Sequence, residues 1–376
     1  MKTWDTVIIG GGIIGLSLAL ALRREGLRVL VVERGEPGRE ASWAAAGMLA
    51  GGASEHPEAL RPLAAESARR YPEFVHLLED ESGMKVDLRD QGTIWISGAG
   101  ALPENAERLS LERLSSLEPA VSASLLREFM VARAPVPALP GSLPASQGRS
   151  IPEKSVAYLD ERSVDPRALV RAATQAARHR QVDISSGTEV KEVLVSQGRA
   201  TGVRTDKTAY SAATVINCAG AWSGLIEPQT LPVRPVKGQM LALVGGPPLR
   251  HVVRADDVYL VPRSDGRIVV GSTLENVGYN KQVEVDTIQR LSQAAVELVP
   301  ALAKARKHED WAGLRPASPD HLPILGETST RGYFIAGGHY RDGILLAPVT
   351  ANVMTALVLR KASAYDLSAF AASRFA

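Results

Sequence analysis

The sequence contains little cysteine, little net charge and no long apolar run. Cys218 is the only cysteine among the 376 residues, so an intrachain disulfide is impossible and a cysteine-based metal site is disfavoured. The 43 basic and 41 acidic side chains give a net charge of +2, which indicates no nucleic-acid partner. No apolar run reaches the ~18 residues of a membrane span, and the N-terminus lacks a signal-peptide cleavage site. We therefore expect a cytoplasmic protein without a metal, a membrane span or a nucleic-acid partner.

The composition that is present is ordinary for a globular protein. Hydrophobic residues make up 45% of the chain and charged residues 22%. A chain of 376 residues is long for one hydrophobic core, which predicts two domains. We find no internal repeat at the periods of roughly 20 to 50 residues that solenoids and propellers use.

The N-terminal residues combine a strand pattern with a glycine-rich turn. Residues 6–9 are a β-branched run typical of a buried parallel strand. Gly10, Gly12 and Gly15 form G-x-G-x-x-G, and residues 13–22 then have helical spacing. In dinucleotide-binding turns these glycines permit the tight turn, the approach of a pyrophosphate and close helix–strand packing. The helix N-terminus would offer N–H groups and partial positive charge to the phosphates.

A second strand ends at an acidic residue. Residues 28–32 read Arg-Val-Leu-Val-Val, and Glu33 follows them. An acid about 20 residues beyond the glycines accepts hydrogen bonds from a ribose in dinucleotide-binding folds. The alternative is a glycine-rich turn with an incidental surface glutamate. Because such an acid needs free ribose hydroxyls, NADP is disfavoured, and NAD and FAD both remain open.

The rest of the chain alternates between helical and strand patterns. Helical spacing predicts helices at 57–82, 101–117, 163–180, 286–299 and 344–359, with Asp165 as N-cap and Pro166 at the first position of the third. Short β-branched or alternating runs predict strands at 91–97, 182–184, 190–195, 200–205, 213–217, 233–243, 258–262, 267–272 and 333–336. Residues 131–155 are rich in proline, serine and glycine and predict a connection between domains.

The two kinds of strand pattern cluster in different parts of the chain, which predicts an α/β fold with two interleaved domains. Parallel-type runs lie at the start, around 182–218 and near 333, and alternating runs lie near 90 and at 233–272. We expect a Rossmann-like dinucleotide-binding domain from residues 1–85, 150–225 and 310–376. We expect an inserted substrate domain with a mixed antiparallel sheet from residues 86–149 and 226–309.

Five stretches together carry a resemblance that spans nearly the whole chain: residues 7–15, 44–49, 215–222, 311–316 and 337–348. In combination they resemble the glycine oxidase branch of the D-amino acid oxidase and sarcosine oxidase family of flavoproteins. The resemblance implies FAD rather than NAD, and oxidation of glycine, sarcosine or small D-amino acids by oxygen. The products would be an imine or glyoxylate, ammonia and hydrogen peroxide. It also implies a supply of iminoglycine for the thiazole of thiamine, and we expect a homo-oligomer, with a tetramer as one candidate.

The resemblance also implies which residues hold FAD. Besides Gly10, Gly12 and Gly15, the implied contacts are Ile13, Ile14, Glu33 and Arg34 for pyrophosphate and adenosine, Ala41, Ser42, Ala46, Gly47 and Met48 for the ribityl chain and flavin, Val190 for adenine, and His339, Tyr340, Arg341, Asp342, Gly343, Ile344 and Leu345 for the pyrimidine edge. A glycine-rich turn that opens a helix suits this edge, because its N–H groups and dipole favour the negative charge of reduced flavin.

Three side chains match the active-site residues of the family. Arg341 matches the carboxylate-binding arginine, whose planar fork suits two carboxylate oxygens. Tyr259 matches a second carboxylate contact, and Arg315 matches the other active-site arginine. Their alternatives are a surface arginine, a tyrosine packed in the core and a structural ion pair, respectively. No general base is evident in the motifs, and none is required if the amine binds in its neutral form.

Departures from the family pattern bear on how FAD is attached and on the size of the substrate pocket. Residues 311–326 contain no cysteine, where members with covalent flavin have one, so FAD should be noncovalent. Leu274 stands near the position at which sarcosine oxidases have a lysine, and Ala50 replaces a frequent glycine and would narrow the substrate pocket. The rivals are a D-amino acid dehydrogenase that reduces quinone, a sarcosine oxidase-like flavoenzyme, an NAD-dependent dehydrogenase and a noncatalytic flavin-binding protein.

Overall fold

The computed structural model describes residues 3–53, 56–97, 105–121 and 155–375. In these ranges the helices are α1 Ile13–Arg24, α2 Ala41–Ala44, α3 Arg61–Ser82, α4 Leu111–Leu117, α5 Pro166–His179, α6 Val285–Leu298 and α7 Ala347–Val358. The strands are β1 Trp4–Ile9, β2 Val29–Val32, β3 Met48–Leu49, β4 Leu88–Arg89, β5 Thr93–Ser97, β6 Glu107–Arg108, β7 Ser155–Leu159, β8 Arg162–Val164, β9 Asp183–Ser185, β10 Val190–Ser196, β11 Arg199–Thr205, β12 Ala209–Asn217, β13 Arg234–Val244, β14 Val252–Ala255, β15 Tyr259–Pro262, β16 Ile268–Gly271, β17 Arg306–Ala317, β18 Ile324–Glu327 and β19 Tyr333–Gly337. Except for Ser155, the predicted connection at 131–155 lies outside the described residues.

The first sheet has a parallel centre that is buried on both faces. Its order is β10-β11-β12-β1-β2-β9, and β19 pairs with β12 and β18. The pairs β1–β2, β1–β12, β2–β9 and β12–β19 are parallel. Along β1, Ile8 joins the core with the helices, whereas Val7 and Ile9 join a second core with β10 and β11. This two-sided burial explains the uninterrupted apolar run, and it confirms the predicted α/β fold.

Helix α5 covers the first sheet and begins where the sequence predicts a cap. The Asp165 carboxylate accepts hydrogen bonds from the N–H groups of Arg167 at 2.9 Å and Ala168 at 3.4 Å, and Pro166 lies in the first turn. The buried Leu169 and Ala173 belong to the stripe that packs against α1 and α3. The helix starts later than the predicted residue 163, because residues 162–164 form β8.

The second sheet is mostly antiparallel and separates a core from a cavity. Its order is β17-β13-β16-β15-β14-β5-β7-β6, and only β14–β5 is parallel among the pairs described. Successive residues of β13 alternate between the faces: Leu241 packs in the core with α6, and Met240 lines the cavity. This confirms the expected mixed antiparallel sheet. The domain boundaries stay a prediction. They assign β7 and most of β17 to the dinucleotide-binding domain, whereas both strands pair in this second sheet.

Two further predicted helix boundaries are wrong. The stretch at 101–117 contains β6, and α4 begins only at Leu111 because Ser110 caps it, accepting from the N–H of Arg113 at 3.1 Å. The last helix starts at Ala347 rather than at 344, since the preceding residues form the turn after β19. Among the residues that the structure describes, no helix is long and apolar enough to span a membrane.

Candidate cofactor and substrate site

A cavity of about 1330 Å³ lies between the two sheets. One wall comes from the β1–α1 turn, α2, β3 and the turn after β19, and the other comes from β13, β14, β15, β17 and the segment after β16. Every predicted cofactor or substrate residue lines this cavity except Gly15 and Leu345. Gly15 packs beneath the turn, and the carbonyl of the buried Leu345 accepts from Ser67 Oγ at 2.6 Å. The roles of the lining residues stay predictions.

The glycine turn has the geometry that its sequence predicts. Gly10 has φ +103°, and a Cβ atom there would lie 2.5 Å from the carbonyl oxygen of Cys218. A Cβ atom at Gly15 would lie 2.0 Å from the carbonyl oxygen of Gly10, so no side chain fits there. Gly12 is the N-cap of α1 and provides no side-chain cap, while Ser42 Oγ accepts from the N–H of Ile13 at 3.0 Å. Gly12, Ile13 and Ile14 line the cavity, so the helix N-terminus borders it.

Glu33 is fixed by backbone donors at the end of β2. Its side chain is buried, and its two carboxylate oxygens accept from the N–H groups of Gly11 at 2.7 Å and Gly35 at 2.9 Å. Each carboxylate oxygen has capacity for a second hydrogen bond. The residue can therefore hold its orientation and still accept from hydroxyl groups of a ligand in the cavity.

An aromatic stack closes the same end of the cavity. The Arg34 guanidinium lies 3.4 Å from the centroid of the Trp222 ring, and Trp222 stacks on Tyr279 at 5.6 Å. Tyr279 Oη donates to the carbonyl of Ala221 at 3.1 Å. Trp222 lies in one of the matching stretches, but no role for it follows from the sequence, because its partner Tyr279 is distant along the chain.

Small residues let the second sheet approach α2 and β3. A Cβ atom at Gly313 would lie 2.3 Å from that of Ala44, and Trp311 Nε1 donates to the carbonyl of Ala44 at 3.1 Å. Arg263 is buried and donates through Nη2 to the carbonyl of Ala46 at 2.5 Å, and burial lowers its pKa to about 10. Trp311 and Arg263 therefore fix the backbone of residues 44–48 through the carbonyls of Ala44 and Ala46, while these residues line the cavity.

The turn after β19 carries a neutral histidine. His339 is 3% exposed, and its Nε2 is 3.1 Å from Thr350 Oγ1. Burial lowers the pKa of His339 to about 4, so the imidazole is uncharged at neutral pH. The next residue, Tyr340, has φ +48° and stacks on His321 with centroids 4.4 Å apart.

The three predicted active-site side chains face the same cavity from different elements. Arg315 donates through Nη1 to the carbonyl of Thr273 at 3.0 Å and through Nη2 to Ser272 Oγ at 2.7 Å. These partners are neutral and leave its charge available to an anion. Tyr259 Oη is 3.8 Å from the sulfur of Met240, and Arg341 is exposed in the turn after β19.

The structure adds a histidine that no sequence pattern selects. His56 is 7% exposed and lines the cavity, and its Nε2 is 3.2 Å from an oxygen of Asp342. In the described part of the chain, its Nδ1 has no hydrogen-bond partner. No group of histidine, cysteine and acidic residues in that part could hold a metal ion.

Comparison with known proteins decides the class. The profile of the family described as FAD dependent oxidoreductase matches residues 5–357. The chain belongs to this family. It is 34% identical to the glycine oxidase of Pseudomonas aeruginosa over 97% of both chains. It is 35% identical to the bifunctional protein ThiO/ThiG of Trichormus variabilis over 99% of this chain and 55% of that protein, and thus spans about half the length of such relatives. The chain also matches the crystal structure of glycine oxidase from Geobacillus kaustophilus at TM-score 0.87 and 27% identity. The match covers 100% of this chain and 99% of the Geobacillus chain.

These matches confirm the resemblance inferred from sequence, the FAD cofactor and the oxidoreductase class, and the cavity fits that cofactor. Its volume of about 1330 Å³ exceeds the ~300–1000 Å³ of usual ligand pockets, which leaves room for a dinucleotide and a small substrate. The α1 N-terminus suits the pyrophosphate and Glu33 suits a ribose. Cys218 lines the cavity, but burial raises the pKa of its thiol, which disfavours the thiolate.

Proposed function

We propose that this FAD-dependent oxidoreductase oxidises glycine, and also sarcosine and small D-amino acids, with oxygen as the acceptor. The observation that carries the proposal is the meeting of Arg341, Arg315 and Tyr259 with the cofactor elements around one cavity. Two guanidinium groups and a phenol suit the carboxylate, which is the strongest recognition handle of a small amino acid. The full-length likeness to glycine oxidases supports the same substrate class.

The residues of the chain would act mainly by orientation and by exclusion of water. Arg341 would take both carboxylate oxygens in its fork, and Tyr259 and Arg315 would fix the remaining freedom of the substrate. FAD, when bound, would supply the two-electron acceptor chemistry, with molecular oxygen as the final acceptor of two electrons and two protons to give hydrogen peroxide. The imine product would hydrolyse to glyoxylate and ammonia. Ala50 would limit the space beside the substrate and favour short side chains.

We further infer a place in thiamine synthesis, with the imine of glycine passed to thiazole formation. Support comes from relatives named bifunctional protein ThiO/ThiG, of whose length this chain covers about half. We also infer a cytoplasmic setting, because the chain has a single cysteine and a reducing compartment fits it. A homo-oligomer is inferred from the family resemblance. The cofactor would be noncovalent, since residues 311–326 contain no cysteine.

Substitution of the two arginines tests the substrate role. Losing a bidentate charged contact in a partly desolvated site costs on the order of 2–5 kcal/mol, so Arg341→Ala should lower kcat/KM for glycine by roughly a hundredfold or more. Arg341→Lys should recover only part of this loss, because it keeps the charge without the fork. Flavin content should be unchanged, because the Arg341 guanidinium is not expected to hold the cofactor. The control is slow turnover of an amine without a carboxylate, which should be nearly indifferent to the substitution. A change below about threefold for Arg341→Ala, under 1 kcal/mol, would contradict its role and leave Arg315→Ala as the next variant.

The electron acceptor is tested separately. An oxidase should form one hydrogen peroxide per glycine consumed, with no stimulation by an artificial quinone. Turnover that depends on the quinone and yields little peroxide would instead support a D-amino acid dehydrogenase.

A further inference from the structure

Lys237 is a charged residue on β13 that the proposed reaction does not use. Its side chain is 0% exposed, and Nζ lies 3.0 Å from Glu275 Oε2 and 3.2 Å from Glu284 Oε1. The next residue, Gly238, lines the cavity, and a Cβ atom there would lie 2.2 Å from Arg315 Nη1. Because side chains alternate along a strand, Lys237 lies on the opposite face of the sheet from Arg315.

A chain of hydrogen bonds nevertheless joins the two residues. Glu275 Oε1 accepts from the hydroxyl of Thr273, and it also accepts from Gln239 Nε2 at 2.9 Å. The carbonyl of Thr273 accepts from Arg315 Nη1 at 3.0 Å. The backbones of Lys237 and Glu275 also exchange two hydrogen bonds, at 2.9 and 3.0 Å. Residues 272–275 are thus held between Lys237 on one side and the guanidinium of Arg315 on the other.

The network keeps its charges although Lys237 is fully buried. Burial opposes the charge of Lys237, yet the hydrogen bonds to Glu275 and Glu284 raise its pKa above the ordinary value. Burial likewise opposes the charge of Glu275, but the bonds from Thr273, Gln239 and Lys237 hold its pKa below the ordinary value. Removing Lys237 would leave Glu275 with an uncompensated charge that must seek water or another donor.

We propose that Lys237 is a positioning residue that acts through Glu275 and Thr273 to fix the direction of the Arg315 guanidinium toward the substrate carboxylate. The inference rests on the proposed function, because it requires a carboxylate to dock at Arg315. The same segment includes Leu274, which is 50% exposed and lines the cavity. Lys237 would therefore influence both the charge and the shape of the substrate pocket without touching the substrate.

The test compares variants on and off the path to Arg315 in the FAD-loaded protein. Lys237→Gln breaks the path at its origin, and Thr273→Val removes the hydroxyl while leaving the carbonyl that Arg315 uses. Thr273→Ser keeps the hydroxyl. Glu284→Gln changes the other partner of Lys237. The Glu284 side chain is 55% exposed and does not contact Thr273 through the bonds described above.

The measurements are kcat and KM for glycine, flavin content, and the Kd of acetate from its perturbation of the flavin spectrum. Lys237→Gln and Thr273→Val should raise both KM and the acetate Kd about tenfold, with kcat within about threefold, as expected for a loosened carboxylate contact. Thr273→Ser and Glu284→Gln should change both constants less than about twofold. If Lys237→Gln does not fold, the comparison of Thr273→Val with Thr273→Ser tests the inference.

Unchanged KM and acetate Kd in Thr273→Val and in a folded Lys237→Gln would overturn the inference. An equal effect of Thr273→Ser and Thr273→Val would do so too, because the hydroxyl would then be irrelevant. Arg315→Ala separates this failure from failure of the proposed function. If that variant binds acetate and glycine normally, no carboxylate docks at Arg315; if it binds them weakly while the Thr273 variants do not, only the positioning role of Lys237 is wrong.

Discussion

The buried His339 should make the stability of the protein depend on pH in a calculable way. Its pKa is lowered from 6.5 to about 4 by burial, so the unfolded chain binds more protons than the folded one between these values. Stability therefore rises with pH across this window, and the contribution is fully present above about pH 6.5. At pH 5 the folded state should lose about 2 kcal/mol relative to pH 7.5, because one pKa unit corresponds to about 1.36 kcal/mol.

The assay is chemical unfolding of the wild type and of His339→Gln, each with the same excess of FAD, at pH 5 and 7.5. Glutamine can still hydrogen-bond Thr350 but does not titrate, so the other ionisable groups cancel when the pH effect in one protein is subtracted from that in the other. We expect the wild type to lose about 2 kcal/mol more than the variant on acidification. Equal losses of stability in both proteins would show that burial does not keep His339 neutral.

Three further predictions concern the cofactor and the pocket. Acid precipitation should release all yellow colour into the supernatant, whereas colour kept in the pellet would indicate covalent flavin. Glu33→Ala should weaken FAD binding by about 1–3 kcal/mol in a fluorescence titration, since charge-assisted hydrogen bonds to the ribose are lost; an unchanged Kd would remove Glu33 from that role. Bulky D-amino acids should be poor substrates, and a higher kcat/KM for D-phenylalanine than for glycine would contradict a small pocket beside Ala50.

The local parts of the fold follow from the sequence because their causes are local. The close approach of Gly15 to the Gly10 carbonyl and the Asp165 cap each depend on neighbours within a few residues, and both occur as expected. The boundary errors have local causes too. Ser110 supplies a cap inside a helical pattern, and the apolar residues at 344–346 are buried in a turn rather than in a helix.

Site residues could be predicted from the sequence only where they lie in a recognisable motif. The resemblance selects residues that line one cavity, although Leu345 belongs to the core beneath it. The pairing of His56 with Asp342 spans 286 positions, and no periodicity or composition connects such distant residues. The network from Lys237 to Arg315 likewise depends on how β13, β16 and β17 align, which a strand pattern does not specify.

A small amino acid should reduce the flavin held in the cavity between the two sheets. Anaerobic titration of the purified protein with glycine, followed in the visible spectrum, tests it most directly. We expect an oxidised flavin spectrum that glycine bleaches completely and that air restores with release of hydrogen peroxide. A colourless protein, or a flavin spectrum that glycine, sarcosine and D-alanine all leave unchanged, would contradict it.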